Sequence, residues 1–235
     1  MWWFAALHAN LLVLYGRAGG ATQETTLLDA GCGTGGLLAQ IAAKYPERTV
    51  VGLDAAPLAC ARAAAKSGRA VCAGSVDALP FSDAAFGAIF SADVLCHAGV
   101  DERAALAQFH RCLGDNGVLV LSLPAYQWMM SRHDLAVSNV RRYTRSGIAR
   151  LLQAAGFRMV FAGYWNMLLF PLMVVTRKLL PDGGVPASDV KPYSAPIEAV
   201  CRAATRVERA LLRCGVRLPF GGSVIAVAAK RRGLT

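Results

Sequence analysis

The sequence predicts an α/β domain built on a parallel sheet, and two observations carry that prediction. Through the first 125 residues, short β-rich apolar runs alternate with stretches of helical periodicity, the pattern of repeated βαβ units. Those runs end in polar or glycine-rich segments, as the loops at the functional edge of such a sheet do. Composition agrees: 55% of the 235 residues are hydrophobic and 17% charged, which supports a substantial core and excludes a disordered or collagen-like chain.

The chain opens on an apolar run, Met1 to Tyr15, that has no basic leader and no small-residue cleavage site. It reads as a helix packed on the core rather than a signal peptide. Strands are expected at Thr25–Ala30, Thr49–Asp54, Arg69–Gly74, Phe86–Ser91 and Gly117–Leu123. Helices are expected at Gly35–Lys44, Pro57–Lys66 and Asp101–Leu113, the second started by a proline at a favoured early position. From Pro124 the chain turns polar, aromatic and basic, and a helix Arg145–Ala155 then stops at the cap glycine Gly156. Phe157–Tyr164 reads as a sixth strand and Ser223–Ala229 as the last. Between them lie 58 residues: an apolar run Trp165–Thr176 broken by Pro171, a linker Pro181–Pro196, and a helix Ala195–Cys214. Neither apolar run reaches the ~20 residues that a membrane span needs, and both read as helices on the core. The seven cysteines are scattered with no CxxC pair, so neither a metal site nor a disulfide framework is expected.

The strongest chemical signal is Leu27-Leu28-Asp29-Ala30-Gly31-Cys32-Gly33-Thr34-Gly35-Gly36, where the first strand turns into the first helix of the alternating region. Glycines let backbone approach a ligand closely, and a helix N-terminus offers unpaired N–H groups. Gly31, Gly33 and Gly36 also satisfy GxGxxG, so the loop alone admits a dinucleotide. Three carboxylates redirect the reading. Asp29 precedes the loop, poorly placed for a pyrophosphate and well placed for an ammonium or sulfonium. Asp54 ends the second strand, where a carboxylate accepts from both hydroxyls of a ribose. Asp77 follows the third strand, where it can accept from an adenine amine. A cationic adenosyl ligand fits all three, whereas Asp83, Asp101 and Asp115 read as caps or loop ends.

The motifs LLDAGCGTG (27–35), VVGLDAAP (50–57), VDALPFSDAAFGAIFSADVLCH (76–97) and GVLVLSLPAY (117–126) resemble the class I S-adenosylmethionine-dependent methyltransferases, within them the small bacterial type 11 or UbiE-like group. The resemblance covers about residues 25–165. It implies a Rossmann-like, seven-stranded, mostly parallel sheet with the last strand antiparallel, helices on both faces and a helical insertion before that strand. It implies that Gly31, Gly33 and Gly35 shape the loop around the methionine part of S-adenosylmethionine, with Asp29 near its amino group. Asp54 would hold the ribose, and Val76 and Asp77 would frame the adenine; Cys32, Ala55, Ala78, Ser91 and Ala92 complete the expected set. The product would be S-adenosylhomocysteine. A single domain over 1–235 then divides into a cap helix (1–20), a cofactor-binding core (21–123), an acceptor loop with helix and sixth strand (124–164), the helical insertion (165–222) and the last strand (223–230).

Methyl transfer is an in-line displacement for which the protein mainly aligns the reactants and removes water. An amine or hydroxyl acceptor must also lose a proton. The acid–base and binding candidates are His97, His133, Asp134, Arg142 and Tyr143. His97 stands where the family reads Glu-His, with Cys96 replacing the Glu. The segment after the fifth strand resembles a subgroup with Trp-Ser-x-His-Asp, a His, then Arg-Arg-Tyr-Thr; here it gives Trp128, Arg132-His133-Asp134 and Arg141-Arg142-Tyr143-Thr144, with Asn139 in place of that His. Such a cluster suits a small anionic, aromatic or lipid-linked acceptor. The acceptor atom and the oligomeric state are left open.

Charge is divided between the two parts of the chain. Residues 1–138 hold 9 basic and 11 acidic side chains, and residues 139–235 hold 16 and 4. In the helix Ala195–Cys214, Ile197, Val200, Ala204, Val207, Leu211 and Cys214 form the expected core stripe, and Arg202, Arg206, Arg209 and Arg213 a separate row. That row reads as a solvated face or as a peripheral membrane contact of a cytoplasmic protein at the inner face of its membrane. Nucleic acid is disfavoured, since no aromatics interleave with these arginines. A non-catalytic cofactor-binding or membrane-associated accessory protein is the alternative function; a nicotinamide-dependent oxidoreductase fits Asp29 and Asp77 less well.

Overall fold

In a computed structural model, which describes residues 2–19, 25–178 and 194–231, seven strands form one sheet. They are β1 (Leu27–Ala30), β2 (Val50–Asp54), β3 (Val71–Ala73), β4 (Phe86–Ala92), β5 (Leu113–Pro124), β6 (Phe157–Trp165) and β7 (Ser223–Lys230), in the order β3-β2-β1-β4-β5-β7-β6. Pairings among β1 to β5 are parallel, and β7 alone runs antiparallel to its neighbours β5 and β6. The expected Rossmann-like sheet is therefore observed. Strand order reverses between β1 and β4, and at such a switch point the carboxyl ends of the two strands part into a crevice.

The helices are α1 (Trp2–Arg17), α2 (Gly36–Lys44), α3 (Pro57–Ser67), α4 (Glu102–Cys112), α5 (Arg132–Ala136), α6 (Arg145–Ala154), α7 (Phe170–Lys178) and α8 (Ala195–Arg213). Side chains alternate across β1: Leu28 and Ala30 join the core with Ala105, Leu106 and Phe109 of α4 and Ile148 and Leu152 of α6. Leu27 faces the other core, with Leu7 and Leu11 of α1, Leu38 and Ile41 of α2 and Leu212 of α8. Period-two alternation thus sets both layers. Asp101 caps α4, accepting from the N–H groups of Arg103 and Ala104 as expected.

Two expectations are corrected. α8 does not bury its apolar stripe: Ile197, Val200, Val207 and Leu211 are 48, 64, 55 and 36% exposed. Its inward face is Glu198, Cys201, Thr205, Glu208 and Leu212 instead. Glu208 is fully buried because it accepts from the backbone N–H groups of Asn166 (2.6 Å) and Leu168 (2.8 Å), and Thr205 donates to the Cys201 carbonyl. Buried polar groups with dedicated partners lose their desolvation penalty, so periodicity alone picked the wrong face. The apolar run Trp165–Thr176 also divides: Trp165 is buried at the end of β6, while α7 buries Phe170 and leaves Leu172 and Val175 exposed. Most of the linker Pro181–Pro196, residues 181–193, lies outside the described residues.

Candidate active site

The loop after β1 needs its glycines. Gly31, Gly33 and Gly35 all have positive φ, at 80°, 53° and 79°. A Cβ on Gly31 would lie 2.3 Å from Val94 Cγ2, and one on Gly35 would lie 2.6 Å from the Ala63 backbone. A Cβ on Gly33 would meet nothing within 4 Å, so that side of its backbone faces open space that a ligand can enter. The N–H groups of Gly31 and Cys32 both donate to the Leu53 carbonyl, tying the loop to β2.

Asp54 ends β2 and reaches into this loop. Its Oδ2 accepts from Gly33 N–H at 2.8 Å and its Oδ1 from Ala56 N–H at 3.0 Å. Each oxygen keeps further acceptor capacity, enough for a pair of hydroxyls. Asp29 is buried, and its Oδ2 has no partner. Burial pushes its carboxyl up to about 7; a hydrogen bond from the Leu38 backbone opposes the shift and the charge of Asp54 adds to it. A buried, incompletely satisfied carboxyl at a glycine loop fits a cationic ligand. Asp77 Oδ1 and Ser91 Oγ are likewise buried without partners, while Asp77 Oδ2 accepts from Asp101 N–H at 3.1 Å. A cleft of about 580 Å³ opens between Asp77, the 98–103 segment and Arg141. Arg141 donates to the carbonyls of His97 and Val100, which fixes that wall. The donor and acceptor set therefore fits an adenosyl group attached to a cation: Asp77 beside the cleft, Asp54 at the loop, Asp29 beneath it. Cys32 and Val76 are buried, Ala55 and Ala78 are exposed in the loops after β2 and β3, and Ala92 is half-buried at the end of β4.

The other half of the crevice is framed by a loop, not lined by free catalytic groups. Asp134 and Arg142 form a buried fork, with Arg142 Nη2 at 2.8 and 2.9 Å from the two carboxylate oxygens and Nε at 3.1 Å. Their side chains are 1 and 3% exposed. Asp134 also accepts from Ser131 N–H and Oγ, closing a capping box on α5, and Arg142 Nη1 donates to the Ala125 carbonyl. Burial opposes the charge on Asp134, but Arg142 and Ser131 together hold its carboxyl below the usual range. The Tyr143 hydroxyl lies 2.9 Å from the Leu95 carbonyl and 2.7 Å from Glu102 Oε2, and burial, then Glu102, raises its pKa. Asp134, Arg142 and Tyr143 are thus brought together and engaged with the protein itself. His133 sits half-buried on α5, and His97 half-buried after β4, where it bridges to Asn139 through the backbone.

Cys96 and Asn139, the two departures from the family pattern, touch each other: the thiol donates to Asn139 Oδ1 at 3.1 Å. Burial, then the charge of Asp93, pushes that thiol up, so it stays protonated.

Sequence reasoning missed Asp93. It follows β4 at the switch point with φ of 57°, an uncommon conformation for a non-glycine residue. Burial pushes its carboxyl up to about 7, with Ser122 and Arg142 pulling the other way. Two more positive-φ residues, Tyr126 (59°) and Asn166 (61°), stand just past the carboxyl ends of β5 and β6. Tyr126 stacks on Tyr164 at 5.2 Å and meets Phe170 at 5.6 Å and Trp128 at 5.8 Å, while Phe220 lies 6.0 Å from Phe170. His8 of α1 was also unforeseen: it bonds Gln40 and packs on Gly36, and burial lowers its pKa to about 4. For Asp93 the available signal was its place in Ser-Ala-Asp at a strand end.

Comparison with known proteins bears on this crevice. Residues 28–121 match the family described as Methyltransferase domain. A malonyl-[acyl-carrier protein] O-methyltransferase of Dechloromonas aromatica is 35% identical over 121 residues, 51% of this chain and 45% of that protein. The O-methyltransferase cnsE of Penicillium expansum is 32% identical over 155 residues, 59% of this chain and 54% of that one. The chain spans about half the length of these curated relatives. A geranyl diphosphate C-methyltransferase from Streptomyces coelicolor, solved with S-adenosyl-L-homocysteine, covers 88% of this chain and 69% of its own at a TM-score of 0.59 and 14% identity. The fold is that of the class I methyltransferases, and residues 28–121 are similar to a methyltransferase domain.

Proposed function

We propose that this chain transfers a methyl group from S-adenosylmethionine to a small-molecule acceptor, as a member of the type 11, UbiE-like group. The observation that carries the reading is Asp29, a buried carboxyl with an unpartnered oxygen directly beneath a glycine loop. The bound cofactor supplies a methyl group on a positively charged sulfur, which leaves as a neutral thioether. Gly31, Gly33 and Gly35 give the loop its open backbone, Asp54 accepts from the ribose hydroxyls, and Asp77 with Val76 receives the adenine. Asp29 offers a carboxylate to the ammonium end.

On the acceptor side, the aromatic faces of Tyr126, Trp128, Tyr164 and Phe170 form a wall suited to an apolar or aromatic molecule. Asp93 takes the acceptor's proton, with His97 nearby as the second acid–base group. The Asp134–Arg142 fork and Tyr143 act as positioning residues that hold the loop, and His133 stands at its outer side. The names of both sequence relatives favour oxygen as the accepting atom.

Calorimetric titration with S-adenosylmethionine tests the cofactor assignment, and methyl transfer to a panel of carboxylic acids, phenols and lipids tests the acceptor assignment. Loss of binding in Asp54→Ala supports the first, and unchanged affinity overturns it. The neutral Cys96–Asn139 contact favours the second reading, a cofactor-binding accessory protein; tight cofactor binding with no transfer to any acceptor would select it.

A further inference from the structure

We propose that the exposed apolar side of α8, together with exposed apolar side chains of α7, seats this protein on an anionic lipid surface. At about 100° per residue, Ile197, Val200, Ala204, Val207 and Leu211 fall within about 80° of the helix circumference. Arg202, Arg206, Arg209 and Arg213 fall within about 60° on nearly the opposite side. The face that packs on the protein, Cys201, Thr205, Glu208 and Leu212, lies between the two. Glu208 is wholly buried and Glu198, 9% exposed, pairs with Arg202 at 3.3 Å, while Arg206 and Arg213 are exposed on the same row. The helix therefore offers water an apolar side and a cationic side, the composition of a helix that lies in a bilayer interface.

Exposed apolar side chains also occur on the segment that α8 holds and on α7. Glu208, beside Val207 and one turn before Leu211, holds the backbone of Asn166 and Leu168. That contact ties the segment before α7 to α8, and Leu168 on it and Leu172 and Val175 of α7 are 49, 59 and 41% exposed. α7 also carries Phe170 of the aromatic wall. Among the described residues no helix is long and apolar enough to cross a membrane, so this contact is peripheral. Charge complementarity selects the occupant: residues 139–235 carry 16 basic against 4 acidic side chains, and anionic headgroups attract such a surface within a Debye length. That the wall receives the acceptor rests on the function proposed above; the lipid contact does not.

The test is co-sedimentation of the full chain with vesicles of phosphatidylcholine mixed with phosphatidylglycerol, against phosphatidylcholine alone. Binding to the mixed vesicles, at least tenfold stronger and weakened by salt, is expected. Arg206→Gln with Arg213→Gln should weaken it about twenty-five-fold, two charges at about fivefold each. Val200→Asp with Val207→Asp should weaken it at least tenfold, with thermal melting and S-adenosylmethionine titration unchanged; Val200→Ser with Val207→Ser serves if the acidic pair fails to fold. Absence of binding to anionic vesicles overturns the proposal, as does binding that ignores the valine changes. A dimer that these valine changes dissociate, in a protein indifferent to vesicles, would assign the face to a second copy instead. Because vesicle binding is read without methyl transfer, its failure is separable from failure of the enzymatic reading.

Discussion

The Asp134–Arg142 pair distinguishes a loop frame from a catalytic couple. Five hydrogen bonds within 3.1 Å converge on the Asp134 carboxylate, three from Arg142 and two from Ser131, and both side chains are almost wholly buried. Removing one partner strands a buried charge, which costs about 3–5 kcal/mol. In a chain of this size that lowers the melting temperature by roughly 6–20 °C. Asp134→Asn and Arg142→Met should each show such a loss. The double variant should lose less than the sum, with a coupling of at least about 2 kcal/mol. The pH response follows from the same geometry. The folded pKa of Asp134 lies below its unfolded value, so the pair's contribution is complete at neutral pH and is lost as pH falls through the folded value. Thermal melts of the four proteins from acid to neutral pH, with turnover measured in parallel, give the answer. An Arg142→Met protein that melts like wild type yet loses turnover more than a hundredfold would refute the frame and return Arg142 to the chemistry.

Three further outcomes follow from the crevice. Asp54→Ala should weaken S-adenosylmethionine by about a hundredfold or more in calorimetry, from two charge-assisted hydrogen bonds at about 1.5–3 kcal/mol each. Asp29, whose folded pKa is raised to about 7, makes the ligand-free protein lose stability as pH rises from its unfolded value, near 4, toward 7. A cation favours the ionised carboxyl, so cofactor affinity should rise from pH 6 to 8 with proton release, seen as buffer-dependent heats; a flat profile in wild type, or an unchanged rise in Asp29→Asn, contradicts this. Asp93→Asn should lower kcat about 10² to 10⁴-fold with cofactor affinity intact, and remove an acidic limb near pH 7 from kcat/KM; unaltered turnover excludes Asp93 as the base.

The parallel core was legible because its central strands are apolar runs buried on both faces, and the alternation of strands with helices dictates topology. The positions of Asp29 and Asp54 near strand ends were legible because β1 runs into Gly31 and β2 stops before Pro57. The α8 face was not, since a helical pattern reports that two faces differ and not which one meets protein; the inward face here is decided by Glu208, whose partners Asn166 and Leu168 lie 42 and 40 residues earlier. Asp134 and Arg142 looked catalytic for a similar reason. A carboxylate and a guanidinium eight residues apart can serve a ligand or each other, and only three-dimensional closure of the loop shows that these two meet.

Asp93 gains its importance from what has become neutral around it. Where the family reads Glu-His and a second His, this chain places Cys96 and Asn139, and the two side chains satisfy each other across 43 residues of sequence. The thiol cannot ionise in that setting, because burial and the neighbouring Asp93 both oppose a second negative charge. With Asp134 neutralised by Arg142 and Tyr143 bound to Glu102 and Leu95, Asp93 is left as the carboxyl at the end of β4 whose partners, Ser122 and a more distant Arg142, leave its pKa near neutrality. Under the proposed function, loss of the Glu and of the second His therefore leaves acid–base work to Asp93 and His97 at the end of β4, instead of removing it from the site.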